Sequence, residues 1–382
     1  MTANTDVQSA PPEEVRDPTA AVVLERVAKS FKGPTGVKTV VRDLSLTIRT
    51  GEFFSLLGPS GCGKTTTLRM IAGLEKVDSG HIYLAGQDAT DQPAYARNVN
   101  TVFQNYALFP HLSVFDNVAY GLRRQHVAKA ELRRRVVEAL ALVHMDAYAM
   151  HRPQQLSGGQ QQRIALARSI VTRPTVLLLD EPLAALDLKL REAMQEELKR
   201  LQRELQLTFI FVTHDQAEAF AMSDRVAVME GGNLVQVGSP EELYLRPATR
   251  FVTTFVGRAN FIPASLVQGA STATPDAMAS RQLSEAEATT AASGEEPSVF
   301  VRPERLSLLV GPAADRVEGP HVRGTIVDKT FSGGLTMVKV RVREDVELTV
   351  TCDSASAPAR EATLDEGAVV AWRPEDATLL DR

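Results

Sequence analysis

Three short, nearly unbroken apolar runs mark the chain: Phe53-Phe54-Ser55-Leu56-Leu57, Thr175-Val176-Leu177-Leu178-Leu179 and Phe209-Ile210-Phe211-Val212-Thr213. Each has the length of a strand. Apolar side chains at consecutive positions need cover on both faces, as in a parallel sheet between helices. Other segments alternate. Leu44, Leu46 and Ile48 are separated by polar residues and predict a strand with one buried face; residues 22–27 and 80–84 predict further short strands, and Asn100-Thr101-Val102-Phe103 leads to Gln104. Helical spacing takes over elsewhere. Residues 67–73 read as a helix stopped by Gly73, and residues 129–145 as an amphipathic helix with Leu132, Val136, Leu140 and Val143 on one face. Arg133, Arg134 and Arg135 fall mostly off that face and predict a solvated surface. Residues 156–170 predict another helix. In 189–206, Leu190, Met194, Leu198, Leu201 and Leu205 predict the buried face of a further one.

Turn chemistry completes the outline. Gly231-Gly232-Asn233 between two apolar runs is a hairpin signal, and Ser239-Pro240-Glu241-Glu242 is a capping box with proline at the first helical position. After about Phe255 short strand-like segments replace helices. Residues 270–298 are rich in Ala, Ser, Thr and Glu without periodicity and predict a flexible loop. Val301-Arg302-Pro303-Glu304 is echoed by Trp372-Arg373-Pro374-Glu375, a weak repeat inside one all-β region.

Composition narrows the class. A chain of 382 residues with 44% hydrophobic content has room for two or three domains. A net charge of −5 gives no global basic field, so nucleic acid is not an expected partner. The two cysteines, Cys62 and Cys352, form no disulfide framework and fit a reducing compartment. The chain contains no apolar run long enough to span a bilayer. The first 20 residues, with acidic residues and prolines and no apolar core, read as a disordered tail and not as a signal peptide.

The run 53–57 leads into Gly58-Pro59-Ser60-Gly61-Cys62-Gly63-Lys64-Thr65-Thr66, which fits G-x-x-x-x-G-K-[ST]. Glycines let successive N–H groups turn toward one anion, and the helix start adds partial positive charge. Lys64 would reach the β- and γ-phosphates of a nucleotide, and the Thr65 hydroxyl would hold Mg²⁺. The run 175–179 ends in Asp180-Glu181-Pro182, where open α/β sheets bind ligands. There Asp180 can hold Mg²⁺ through water and Glu181 can polarise an attacking water. The run 209–213 ends at His214, within reach of a γ-phosphate. Ser157-Gly158-Gly159-Gln160 opens a helix, either as a second anion site or as an ordinary N-cap. Phe31 precedes a loop rich in glycine and lysine; it can stack on adenine or be a plain core residue. Residues 105–111, aromatic and broken by Pro110, suit neither strand nor helix and are open to two readings, partner docking or core packing. Lys64 and its loop already hold one side of a γ-phosphate, so a second subunit could offer its Ser157–Gly159 turn to the first subunit's ATP.

These motifs in this order resemble the ATP-hydrolysing subunits of ABC importers, over residues 21 to about 250. The resemblance implies a Walker A loop at 58–66, a Q-loop glutamine at Gln104 that contributes to catalysis and to the metal, the LSGGQ signature at 156–160, a Walker B strand at 175–180, catalytic Glu181, a D-loop ending in Asp187, and a switch histidine at His214. It places Phe31 against adenine. It implies an α/β P-loop ATPase domain (21–250) with a helical subdomain (105–170), followed by an all-β, OB-like TOBE domain (251–382). The 104–111 lead-in becomes the surface where membrane subunits dock. The expected cofactors are ATP and Mg²⁺. The expected partners are two integral membrane permease subunits, a second copy of the chain as a homodimer and, indirectly, an extracytoplasmic solute-binding protein. The implied location is peripheral, on the cytoplasmic face of the inner membrane. Residues 51–73, 100–104 and 185–191 resemble spermidine/putrescine import ATPases more finely, with importers of phosphonates, opine-type amines, ferric iron or sugars as alternatives. A soluble ABC ATPase not coupled to transport is the rival of a different class.

Overall fold

The structure, a computed structural model, describes residues 19–33, 36–184, 186–269, 298–315 and 317–380. The expected tail, apart from Thr19 and Ala20, and the expected 270–298 loop, apart from Ser298, lie outside these residues. The chain divides into two compact units, Met1–Pro240 and Glu241–Arg382.

In the first unit, the strands β1 (Ala20–Gly33), β2 (Gly36–Arg49), β4 (Ser79–Leu84) and β5 (Gln87–Asp88) form an antiparallel sheet in the order β2-β1-β4-β5. A second sheet has the order β10-β9-β3-β8-β7-β6: β3 (Phe53–Leu57), β6 (Val99–Val102), β7 (Val176–Asp180), β8 (Thr208–Thr213), β9 (Arg225–Glu230) and β10 (Asn233–Gly238). It is parallel except for the β9–β10 hairpin. The three apolar runs are three of its four inner strands, β3, β8 and β7.

Strand alternation assigns their side chains to two cores. Phe53, Phe209, Phe211, Leu177 and Leu179 join the helices α2 (Val114–Arg124), α3 (Lys129–Leu142), α4 (Gly158–Ile170), α5 (Leu188–Leu205) and α6 (Gln216–Met222). Phe54, Leu56, Val176, Leu178, Ile210 and Val212 pack with α1 (Lys64–Ile71) and the antiparallel sheet. Every residue of β3 and β8 is buried. Leu132, Val136, Leu140 and Val143 are buried as the helical spacing predicts. Leu190 departs from expectation: it is 49% exposed, on the first turn of α5, ahead of the point where Met194, Leu198 and Leu201 reach the core.

The second unit is antiparallel. The short helices α7 (Pro240–Leu245) and α8 (Arg250–Phe255) lead into it. One sheet has the order β11-β12-β18, from β11 (Asn260–Pro263), β12 (Ser298–Val301) and β18 (Ala377–Leu380). The other has the order β13-β17-β14-β15-β16, from β13 (Ser307–Val310), β14 (His321–Ser332), β15 (Leu335–Arg343), β16 (Val346–Asp353) and β17 (Gly367–Ala371). Its core includes Trp372, Val322, Val340 and Val370. Both copies of the sequence echo make the same local structure: a strand end, an arginine, then a 3-10 turn with proline at its start. Their arginines differ. Arg373 is exposed, whereas Arg302 is 2% exposed and donates to the carbonyls of Tyr244, Thr253 and Arg258. Its guanidinium also stacks on Tyr244 and Phe300. Tyr244 donates to Glu304, and burial together with that carboxylate pushes its pKa up to about 12.

Candidate functional site

The glycine loop joins β3 to α1. The helix begins at Lys64, inside the motif, earlier than the expected Thr67. Its N-cap, Gly63, has φ 107° and supplies no side-chain cap. The first N–H groups of α1 therefore have no partner within the helix and no side-chain cap, which leaves them free for an anion. Two glycines are required by close approach. A Cβ on Gly63 would lie 2.7 Å from the Val40 carbonyl oxygen, and one on Gly58 would collide with the Met229 carbonyl and lie 2.7 Å from Cys62 Sγ. Backbone from β2 and β9 thus braces the loop from behind. Lys64 is 5% exposed and donates from Nζ to the carbonyls of Gly58 at 2.7 Å and Pro59 at 3.0 Å. Cys62 is buried beneath it, and burial raises its thiol pKa.

The strand ends bring the expected chemistry to one edge. Thr65 Oγ1 donates to Asp180 Oδ1 at 3.1 Å. Burial pushes the Asp180 carboxyl pKa up; the Thr65 hydrogen bond opposes that rise and the neighbouring Glu181 charge adds to it. Among the described residues no group of three His, Cys, Asp or Glu side chains could hold a metal ion alone. The available set is one hydroxyl and one carboxylate, hard oxygens of the kind that hold Mg²⁺ alongside phosphates and water. Beside them, His214 Nδ1 lies 3.4 Å from Glu181 Oε2. Glu181 has φ 45°, left-handed and unusual for a side chain of this size, with its N–H donated to Val212 O at 3.1 Å. This bend turns the chain away from β7 while tying it to β8. A cavity of about 60 Å³ opens there, lined by Glu181, Arg191, Thr213, His214, Asp215 and Glu218.

The remaining candidates stand apart. Phe31 is 40% exposed at the β1–β2 hairpin, with Lys29 Nζ 5.3 Å from its ring centre; it is no core residue. Gln104 is exposed in the loop after β6. Ser157 caps α4: its Oγ accepts from Gln160 N at 3.4 Å, and Gln160 Oε1 accepts from Ser157 N at 2.9 Å. The Gln160 side chain is therefore directed at its own helix start. Gly158 and Gly159 have open space around the positions a Cβ would take. Asp187 caps α5, accepting from Leu190 N at 3.0 Å. No described hydrogen bond or ion pair joins Ser157, Gly158, Gly159, Gln160 or Asp187 to the glycine loop.

Residues 105–111 prove to be both core and surface. Tyr106 is buried, and Tyr106 and Ala107 have φ 61° and 44°. Arg168 of α4 donates to both of their carbonyls, at 2.9 and 2.6 Å. Asn117, fully buried, donates to Phe109 O and accepts from Phe109 N. Neither Arg168 nor Asn117 was recognisable as an anchor, and Arg191 and Glu218 escaped as well. Arg168 reaches carbonyls about 60 residues away and Arg191 carboxylates more than 20 away, while Asn117 and Glu218 bond to groups within eight residues across irregular turns; no periodic spacing reveals either kind of contact.

Comparisons with known proteins bear on the family and the fold. The ABC transporter family profile matches residues 41–184, and the TOBE domain profile matches 299–380. A spermidine/putrescine import ATP-binding protein, PotA, from Thermobifida fusca is 46% identical over 94% of this chain and 93% of its own length. Its namesakes from Acidothermus cellulolyticus and Salmonella typhimurium are 48% and 44% identical, over 94% and 92% of this chain and 94% and 92% of their own lengths. The ATP-binding cassette MJ0796, solved as a dimer in a post-hydrolysis state bound to ADP and Pi, superposes with a TM-score of 0.52 at 33% identity, covering 57% of this chain and 98% of that one. Among the described residues no helix is long and apolar enough to cross a membrane. An ABC ATPase fold followed by an OB-like TOBE domain, with similarity running through nearly the whole chain, places this protein in the family of ATP-binding subunits that hydrolyse ATP to power ABC importers.

Proposed function

We propose that this chain powers polyamine uptake, spermidine or putrescine, as a homodimer seated on two integral membrane permease subunits at the cytoplasmic face of the inner membrane. An extracytoplasmic binding protein delivers the solute. The observation that carries the catalytic part is the pairing of Glu181 with His214 at 3.4 Å, beside the Thr65–Asp180 bond at 3.1 Å. Lys64 and the N–H groups of residues 58–66 hold the β- and γ-phosphates, and Phe31 stacks on adenine. Thr65 and Asp180, with Gln104, hold Mg²⁺, which neutralises phosphate charge when bound. Glu181 orients the attacking water and accepts its proton, and His214 fixes the Glu181 carboxylate and reaches toward the γ-phosphate. Ser157, Gly158, Gly159 and Gln160 of one copy close over nucleotide held by the other, next to Asp187. The dimeric state of the MJ0796 cassette supports this sharing.

The cargo rests on the names of the relatives. Glu181→Gln tests the chemistry: ATP binding persists while hydrolysis falls about 10²–10⁴-fold. Near-normal turnover removes Glu181 from its role. Uptake of labelled spermidine, putrescine, maltose, iron and a phosphonate, in cells with and without the gene, tests the cargo. Unchanged polyamine uptake alongside loss of another solute redirects the assignment.

A further inference from the structure

Arg191 sits on the first turn of α5, just past Asp187, and reaches across the cavity to a different part of the chain. Its Nη2 donates to the Leu186 carbonyl at 3.1 Å. Its Nη1 lies 3.7 Å from Asp215 Oδ2, and its Nε lies 3.6 Å from Glu218 Oε1. Nε is buried without an acceptor in hydrogen-bond range, so it meets Glu218 as an ion pair only. Glu218 is 5% exposed and accepts from Thr213 Oγ1 at 2.6 Å. The same hydroxyl oxygen accepts from Asp215 N at 3.0 Å. Asp215 in turn caps α6, accepting from the N–H groups of Ala217 and Glu218. His214 is thus held in a turn fixed on both sides, and the guanidinium joins that turn to Leu186.

We propose that Arg191 is a positioning residue for ATP hydrolysis, holding the Leu186–Asp187 turn and the Thr213–Glu218 turn in one arrangement so that His214 stays aligned on Glu181. This rests on the roles given above to Glu181 and His214. The geometry is poor for stability and good for alignment. One full hydrogen bond and two long ion contacts, on a side chain 28% exposed, contribute little to folding. Yet the planar fork addresses three groups at fixed angles, which a lysine ammonium cannot do at once. Asp187, proposed to lie at the seam between copies, is next to the carbonyl that Arg191 holds. Engagement of the second copy and alignment of His214 then share one link.

The test uses the full chain with Arg191→Ala, Arg191→Lys, Glu218→Gln, the Arg191→Ala/Glu218→Gln double variant and Glu181→Gln. A displacement of about 1 Å in a reacting group costs about a hundredfold in rate, so Arg191→Ala is expected to lower kcat by tenfold to a hundredfold. The KM for ATP stays within about threefold, because no contact to the phosphates is removed. Arg191→Lys does not restore the rate, and the double variant is no slower than Arg191→Ala alone. A fall in kcat of less than about fivefold, or additive losses in the double variant, overturns the proposal. Where Arg191→Ala fails to fold, Arg191→Lys decides by the same fivefold criterion in kcat. Full activity of Glu181→Gln defeats the underlying catalytic reading. An inactive Glu181→Gln beside a fully active Arg191→Ala defeats the Arg191 proposal alone.

Discussion

Arg302→Ala probes the second unit at its most constrained point. The guanidinium is 2% exposed and its hydrogen bonds run to the carbonyls of Tyr244, Thr253 and Arg258 at 2.9–3.2 Å. Truncation removes a charged donor from each; the Thr253 carbonyl is buried and those of Tyr244 and Arg258 lie in part-buried bonds, so about 1–3 kcal/mol apiece is an upper range. The stacked Tyr244 and Phe300 rings lose a partner as well. These losses overlap, so their sum is an upper bound and about 4 kcal/mol is the working value, at the exceptional end for a single substitution. Trp372 supplies the readout. It is the only tryptophan in the chain and lies in the core of this unit at 6% exposure, so its fluorescence follows this unit's unfolding. With a urea slope of about 2 kcal/mol/M, the midpoint moves down by about 2 M. The exposed counterpart Arg373→Ala, which caps an equivalent turn, moves it by less than about 0.5 M. A shift for Arg302→Ala as small as that of Arg373→Ala refutes the accounting.

Three further outcomes follow from the first unit. A subunit carrying Ser157→Arg mixed with one carrying Lys64→Ala recovers activity that neither has alone, because the mixed dimer retains one intact shared site; verified mixed dimers that stay inactive rule out sharing. Phe31→Ala raises the KM for ATP about tenfold with little change in kcat, the value of one aromatic–base stack; an unchanged KM removes Phe31 from the adenine. Burial raises the Glu218 carboxyl pKa, against the Thr213 bond and the Arg191 and His214 charges that lower it. The folded chain therefore holds that proton more tightly than the unfolded chain. The associated stability is present below the ordinary glutamate value and is lost as pH rises through the folded value. The unfolding midpoint of Glu218→Gln, measured relative to the unsubstituted chain, thus increases between pH 4 and pH 8, and a relative decrease contradicts the shift.

The parts legible in the sequence are those where one residue type has one use. Continuous apolar runs could only be covered strands, and β3, β7 and β8 lie within a residue of the expected limits. Helix α3 ends at Leu142, short of the expected 145, because His144 turns left-handed at φ 57°. Length was harder: β1 and β2 extend to Gly33 and from Gly36, past their apolar patterns, since hairpin pairing prolongs strands whose ends face solvent. Helices α2, α6 and α8 went unpredicted, being short and closely preceded by loops whose Ser113, Asp215 and Thr249 caps are visible only once their acceptor geometry is known. Within the site, the phosphate loop and the strand-end carboxylates were readable because glycine and paired acids are costly elsewhere. The braces behind them, Val40 and Met229 carbonyls against Gly63 and Gly58, involve backbone atoms that every residue possesses and no sequence can advertise.

The capping box at Ser157 bears on the kinetics of assembly. Ordering the backbone of one residue costs about 1–2 kcal/mol, so a three-residue turn that had to form against its ligand would subtract about 3–6 kcal/mol from the binding energy. Here the reciprocal Ser157–Gln160 bonds meet that cost during folding, before any phosphate arrives. On the proposed sharing, a second copy would meet a helix start already shaped, its Ser157 and Gln160 side chains fixed on each other's backbone N–H groups. The sharing proposed above would then need no slow local folding step at this turn.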